Sequence, residues 1–171
     1  GAGDPSLLVL PLYGDLDAAA QDAALGPAPA GRRKVVVATN LAETSLTIAG
    51  VRIVVDAGLE RRQRFDPGSG MSRLETVPIS RASADQRRGR AGRTAPGICY
   101  RLWSESAHAA LSAQAVPEIL DADLAPLALE LACWGASDPH SLAWLDPPPL
   151  ATLAQARDLL HRLEAIDERG Q

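Results

Sequence analysis

Apolar and polar positions along the chain follow two periods. Leu7–Leu10 is a short apolar run ahead of Pro11 and reads as a buried strand stopped by that proline. Asp17–Leu25 is alanine-rich, with Asp17 placed to cap it, and reads as a helix closed by Gly26-Pro27. Residues 26–31 form a Pro/Gly loop. Lys34–Ala38 is a continuous apolar β-branched run, the mark of a strand buried on both faces, and Val51–Ala57 reads as a second buried strand. The stretch between them, Thr39–Ala49, is polar and then weakly helical. Strand, helix, strand, crossover, strand is the order of a parallel α/β sheet.

Two extended runs follow, Arg61–Phe65 and Ser72–Ile79, around Asp66-Pro67-Gly68-Ser69-Gly70, and they read as a hairpin. Ser83–Arg93 reads as a short helix and Gly97–Trp103 as another strand. The composition changes at residues 104–116. Beyond it, Leu120, Leu124, Leu127, Leu131 and Trp134 recur at helical spacing, with Pro126 inside the run. After Asp146-Pro147-Pro148-Pro149, a second amphipathic helix over Leu150–Ile166 carries Leu153, Leu159, Leu160, Leu163 and Ile166. The expected organisation is an α/β domain over residues 1–112 and a small helical one over 117–171.

The 171 residues carry a net charge of −4, which argues against a uniformly basic nucleic-acid binder. The distribution changes that picture. Residues 61–93 hold nine arginines against three acids, whereas residues 105–171 hold three arginines against eleven acids. One part of the fold is therefore expected to face a polyanion, and the tail to do something else. The chain holds sixteen arginines to one lysine, a bias that composition alone could produce, but composition does not cluster them. The two cysteines, Cys99 and Cys133, lie far apart and point to a reducing compartment or buried thiols rather than a disulfide framework. His108, His140 and His161 have no metal-ligand spacing to Cys, Asp or Glu, so no metal site is expected. No apolar run reaches the roughly 18 residues of a membrane span.

Two segments carry candidate chemistry. In Gln86-Arg87-Arg88-Gly89-Arg90-Ala91-Gly92-Arg93, helical spacing puts Gln86, Arg90 and Arg93 on one face, where planar forks suit a polyphosphate. Gly89 and Gly92 each cost about 1 kcal/mol relative to Ala in a helix interior, so close approach of a backbone or ligand is expected there. Ser83-x-x-Gln86 fits a capping box. A capped helix with a solvated basic face is the plainer reading of the same residues. The second segment, Ala38–Ile48, leaves the carboxyl end of a strand with Thr39, Asn40, Thr44, Ser45 and Thr47. Ligands bind at that edge of open α/β sheets, and short donors suit phosphate oxygens; helix caps without a ligand are the alternative. No G-x-x-x-x-G-K-[ST] loop is present, since Lys34 is preceded by Arg33 and followed by Val35. Half of an active site is the simplest description.

The ordered segments resemble a known family. Val37–Ile48 looks like motif V of the DEAH-box helicases, and Gln86–Arg93 like their motif VI. Val54-Val55-Asp56-Ala57-Gly58-Leu59 is similar to the strand after motif V, and Pro11-Leu12-Tyr13-Gly14-Asp15-Leu16 to the segment before the first helix. Within that family, Ser83-Ala84-Asp85-Gln86 and Cys99-Tyr100-Arg101-Leu102-Trp103 fit the bacterial HrpB subfamily. Pro117-Glu118-Ile119 through Trp134-Gly135, with Leu145–Pro149, resembles the winged-helix domain that follows.

The resemblance implies a second RecA-like domain, a parallel sheet flanked by helices, followed by an incomplete winged-helix-type domain. It implies ATP with Mg²⁺ in a cleft completed by a first RecA-like domain that supplies the P-loop and the metal ligands. Gln86 then positions the γ-phosphate or the attacking water, and Arg90 and Arg93 act as arginine fingers. Ser45 senses the γ-phosphate through its loop. Thr39, Asn40 and Thr47, with Arg61, Arg62 and Arg64 of the hairpin, contact the backbone of single-stranded RNA or DNA. Leu25 stands where several relatives place an aromatic against adenine, which implies weak base discrimination. The expected protein is a cytoplasmic monomer. A stand-alone nucleic-acid-binding module without ATPase activity is the competing expectation, and the acidic tail counts against it. A protein-interaction fragment is the third.

Overall fold

The computed structural model describes residues 4–44, 46–136, 138–139 and 142–167. They fall into two compact units: the residues up to Arg61 with Thr76–Ala115, and Arg62–Glu75 with the residues from Val116 onward.

The first unit contains β1 (Leu7–Leu12), α1 (Ala18–Leu25), β2 (Arg33–Ala38), the single turn α2 (Leu41–Thr44) and β3 (Ile53–Asp56). A hairpin of β4 (Leu59–Asp66) and β5 (Met71–Pro78) follows, then α3 (Arg81–Ala91), β6 (Ile98–Arg101) and α4 (Glu105–Ala110). β1 and β2 are parallel, with Val9 opposite Val35. β3 and β6 are parallel, with Val55 opposite Tyr100. Among the described residues no ladder joins the two pairs. The parallel α/β arrangement expected from the sequence is thus present.

β1 runs through Pro11 rather than stopping at Leu10. Its ladder partner is β2, and proline, which has no N–H, is tolerated on such an edge strand. Asp17 caps α1 as expected, accepting from Ala20 N at 2.9 Å. The single lysine fastens the other end of that helix: Lys34 Nζ donates to Ala24 O at 2.7 Å and to Gly26 O. Burial pulls the Lys34 pKa below the usual lysine value.

The expectation of strands buried on both faces is not met. α1 lies against β1, and α3 lies against β3 and β6. On the other face Val9, Val35, Val37, Ile53, Val55, Ile98 and Tyr100 are 44–63% exposed. Alternate residues of each strand point to opposite faces, and among the described residues no helix covers this one.

α3 begins at Arg81, two residues earlier than expected, because Ser80 is its N-cap and accepts from Ser83 N at 3.1 Å. Ser83 is therefore inside the helix and does not open a capping box. Gly97 seats β6 behind the end of α3. A Cβ there would stand 2.0 Å from Ala91 O and 2.7 Å from Arg52 O.

The outer half of the hairpin belongs to the second unit, and Phe65 N donates to Asp121 O at 3.0 Å. Asp66 ties the hairpin turn, accepting from Gly68 N at 3.0 Å and Ser69 Oγ at 2.9 Å, with Gly70 at φ +68°. The Ser69 and Gly68 bonds hold the Asp66 pKa below the usual carboxylate value.

The helix expected over residues 119–134 is broken into a 3-10 turn (Glu118–Leu120) and α5 (Ala125–Cys133). Pro126 sits in the first turn of α5, where its missing N–H costs nothing. α6 spans Leu150–Arg162. Leu124, Ala128, Leu153, Ala156, Leu160 and Ile166 form the core of this unit. Trp134, placed by its spacing on the apolar face, is 81% exposed just beyond α5.

Gly97→Ala is expected to destabilise the chain by about 1–3 kcal/mol, because the new methyl overlaps two backbone carbonyls. Urea denaturation measures it, and an unchanged midpoint contradicts the assigned contact.

Candidate functional site

β3, and the turn α2 that follows β2, both lie against α3. Thr39 follows β2 directly, and its N donates to Leu12 O at 3.1 Å. Glu43 N then bonds Asn40 O at 2.9 Å, turning the chain into α2. Thr39, Asn40 and Thr47 are exposed. Ser45 lies outside the described residues. β3 ends in Asp56, which is only 3% exposed.

α3 meets this edge through three arginines. Arg87 Nε bonds Glu43 Oε2 and Arg87 Nη1 bonds Asp56 Oδ1, each at 3.0 Å. Arg87 Nη1 also donates to Leu59 O at 3.1 Å. Burial works against the charge on Arg87, but the bonds to Glu43 and Asp56 outweigh it and raise the guanidinium pKa, so it stays protonated. Arg90 Nε donates to Glu43 O at 2.7 Å and Arg90 Nη1 to Leu46 O at 2.8 Å, while Arg90 Nη2 also reaches Glu43 O. Arg93 Nη1 donates to Thr47 Oγ1.

The structure therefore brings Arg90, Arg93 and Thr47 together at the strand edge. α3 ends at Ala91 with Gly92 as its C-cap. Arg93 thus reaches Thr47 from beyond the helix, not from an i+7 helical position. Gln86 is exposed one turn before Arg90. Asp85, on the same helix, accepts from Arg101 Nη2 of β6 at 2.8 Å, and that bond lowers its pKa. Of the hairpin arginines, Arg62 and Arg64 belong to the second unit. Arg61 and Arg64 are exposed, and Arg64 lies 3.9 Å from Glu75. Arg62 is half-buried and engaged with neighbours.

The close approach expected at Gly89 and Gly92 is absent among the described residues. A Cβ built on either meets nothing within 4 Å. Gly89, inside the helix, thus carries the glycine penalty without recovering it in packing among the described residues, whereas Gly92, as the C-cap, carries no helix-interior cost.

Among the described residues no three His, Cys, Asp or Glu side chains could hold a metal ion. The two acids that meet α3 from the strand edge, Glu43 and Asp56, neutralise Arg87. This donor set does not fit Mg²⁺. No helix of the described residues is long and apolar enough to cross a membrane.

Residues 4–95 match the profile of the helicase conserved C-terminal domain. The chain belongs to this family. The helicase domain is 51% identical to the ATP-dependent RNA helicase HrpB of Escherichia coli (strain K12), over 94% of the chain and 20% of that protein. It is 46% identical to the pre-mRNA-splicing factor ATP-dependent RNA helicase prp22 of Schizosaccharomyces pombe, over 99% of the chain and 15% of that protein. A crystal structure of the Escherichia coli DEAH/RHA helicase HrpB superposes with a TM-score of 0.90 at 49% identity, covering 97% of this chain and 21% of that one. A crystal structure of the E. coli DExH-box NTPase HrpB gives 0.84 at the same identity, over 97% of this chain and 20% of that one. The chain thus spans about a fifth of the length of HrpB. The DEAH-box, HrpB-like resemblance read from the motifs holds, and the fold is RecA-like.

The residues that sequence reading missed are Glu43, Asp56 and Arg87. Each stood inside a quoted motif, but their separations of 13 and 31 residues carry no local period.

Gly89→Ala is expected to stabilise the isolated chain by about 1 kcal/mol, the helix-propensity difference, since the methyl has room. A thermal melt reads it. A lowered midpoint overturns the claim that only an outside group needs this glycine.

Proposed function

We propose that this helicase C-terminal domain is the second RecA-like half of an ATP-dependent RNA motor, with residues 117–171 forming the start of a winged-helix-type domain. The carrying observation is the convergence of Arg90 and Arg93 on residues 43–47 at the carboxyl edge of the parallel strands. Ligands bind at that edge in open α/β sheets. The names of the relatives support ATP and RNA.

In this reading a first RecA-like domain supplies the P-loop and holds Mg²⁺, and ATP lies between the two. Arg93 is exposed and bonded to Thr47 through one nitrogen, so most of its fork is available to a γ-phosphate. A guanidinium has five N–H groups, and Arg90 directs bonds to Glu43 O and Leu46 O from all three of its nitrogens. It therefore acts in two directions, holding the loop that contains Ser45 while its remaining N–H groups face developing charge. Gln86, one turn earlier, positions the attacking water or the γ-phosphate. The open space beside Gly89 and Gly92 admits the nucleotide or the facing domain.

Thr39, Asn40 and Thr47 contact the backbone of a single strand, as do Arg61, Arg62 and Arg64 on the hairpin. Backbone contacts carry no sequence information, which suits a motor that must cross any sequence. Arg93 joins Thr47 directly, so nucleotide state reaches the strand-gripping segment through one hydrogen bond. The motor is read as cytoplasmic and monomeric.

Alone, the chain is expected neither to hydrolyse ATP nor to unwind a duplex; turnover by the pure fragment contradicts the half-site reading. In the full-length protein, Arg93→Ala is expected to lower RNA-stimulated ATP turnover about a thousandfold or more, with an unchanged melting temperature. Arg90→Ala gives a similar loss and also destabilises by about 1–3 kcal/mol, because the carbonyls of Glu43 and Leu46 lose a charged donor. A steady-state ATPase assay with urea denaturation checks both, and near-normal turnover in both variants refutes the finger assignment.

A further inference from the structure

Arg87 lies inside the basic motif, yet the proposed reaction gives it no task. Its side chain is 16% exposed and its partners Glu43 and Asp56 are 11% and 2% exposed. This is a desolvated triad, unlike the surface pairs of Arg64 or Arg162. Such a triad is weak evidence for stability, because removing three charges from water offsets most of their attraction. An apolar side chain of similar volume would hold the same space at less cost. What the ions add is geometry, since a planar fork fixes both the distance and the plane of its acceptors.

The acceptors lie at a seam. Glu43 follows β2, and Asp56 closes β3. No ladder bond among the described residues joins the β1–β2 pair to the β3–β6 pair. Arg87 bonds to both sides from a third element, α3, and its Nη1 adds the Leu59 carbonyl at the root of the hairpin. Asp56 Oδ1 is further oriented by Gly58 N at 2.9 Å, whereas Asp56 Oδ2 is buried with no partner. The carboxylate is thus aimed by one oxygen alone. The same Glu43 that accepts from Arg87 through its side chain accepts from Arg90 through its carbonyl. Any movement of Glu43 therefore shifts the contact that seats Arg90.

We propose that Arg87 is a positioning residue for ATP hydrolysis. Its fork locks the loop after β2 and the end of β3 to α3, and so sets the spacing at which Gln86, Arg90 and Arg93 meet the nucleotide. This rests on the motor reading above. It assigns Arg87 no contact with ATP and makes Glu43 and Asp56 its two anchors.

The test uses the full-length protein with Arg87→Lys, which keeps the charge and removes the fork. Two quantities are read: kcat and KM for ATP with saturating RNA, and hydrogen exchange of peptides spanning residues 39–47. The expected result is a roughly tenfold to hundredfold fall in kcat, the scale of a misplaced catalytic group, with KM within about twofold. Exchange rises across 39–47 and stays unchanged in α6. Glu43→Gln gives the same pattern, and the double variant is no worse than either single one, because both break one tie. If Arg87→Lys does not fold, Glu43→Gln alone carries the same expectations. A kcat near wild type overturns the proposal. So does a rise in KM at constant kcat, which would place Arg87 on the nucleotide, and so does unchanged exchange at 39–47. Wild-type protein without ATPase activity would instead sink the motor reading, and the exchange measurement would still decide whether Arg87 locks the loop.

Discussion

One desolvated guanidinium ties three parts of the first unit together. Arg87 draws together an acid after β2, the acid that ends β3, and a carbonyl at the root of the hairpin. A parallel sheet normally transmits position through its ladder, but here the described ladders form two separate pairs. At the carboxyl edge Arg87 of α3 bonds to residues on both sides of that gap. The more exposed pair of Asp85 and Arg101 joins α3 to β6. α3 is thereby held from two directions by charge-assisted bonds, whose direction is more exacting than that of apolar contact.

The arrangement also separates holding from reaching. Along α3, Arg87 is enclosed, Arg90 is half-buried with all three of its nitrogens on backbone carbonyls, and Arg93 is exposed beyond the helix end. Arg87 and Arg90 are thus both held, and Arg93 is the exposed one of the three. The glycines between them have open space beside them. The cost of Gly89 to the helix finds no return among the described residues, which accords with an approach from outside. The bare apolar face of β1, β2, β3 and β6 has the same character. Its residues pair in register, Val9 with Val35 and Ile53 with Ile98, on the side opposite α1 and α3. Parallel strands are ordinarily covered on both sides, and this chain is about a fifth of the length of HrpB.

Much of the secondary structure was legible because its causes are local. Asp17 announced α1 by its side chain, Asp66-Pro67-Gly68-Ser69-Gly70 announced a turn, and β-branched runs announced β2 and β3. Failures came where a neighbour in space overruled a pattern. Pro11 looked like a stop, but at a strand edge its missing donor costs nothing. Ser83 looked like a cap, but Ser80 takes that place. The apolar period from Leu120 to Trp134 promised one helix, but Pro126 starts α5 and leaves Trp134 in water. Buried-strand composition promised cover on both faces, and composition does not reveal which element lies on which face.

By itself, the sequence determined the family, the parallel α/β class, and the presence of a basic motif after a strand edge rich in short donors. These depend on residue order and on periods of two and 3.6, which are local properties of a chain. Only the tertiary structure decided that Arg87 is an anchor, that Arg90 holds backbone, and that Arg93 meets Thr47. Those pairings join residues 31 to 47 positions apart. A fork is identical in sequence whether it faces water, a carbonyl or a carboxylate, and folding alone chooses among them.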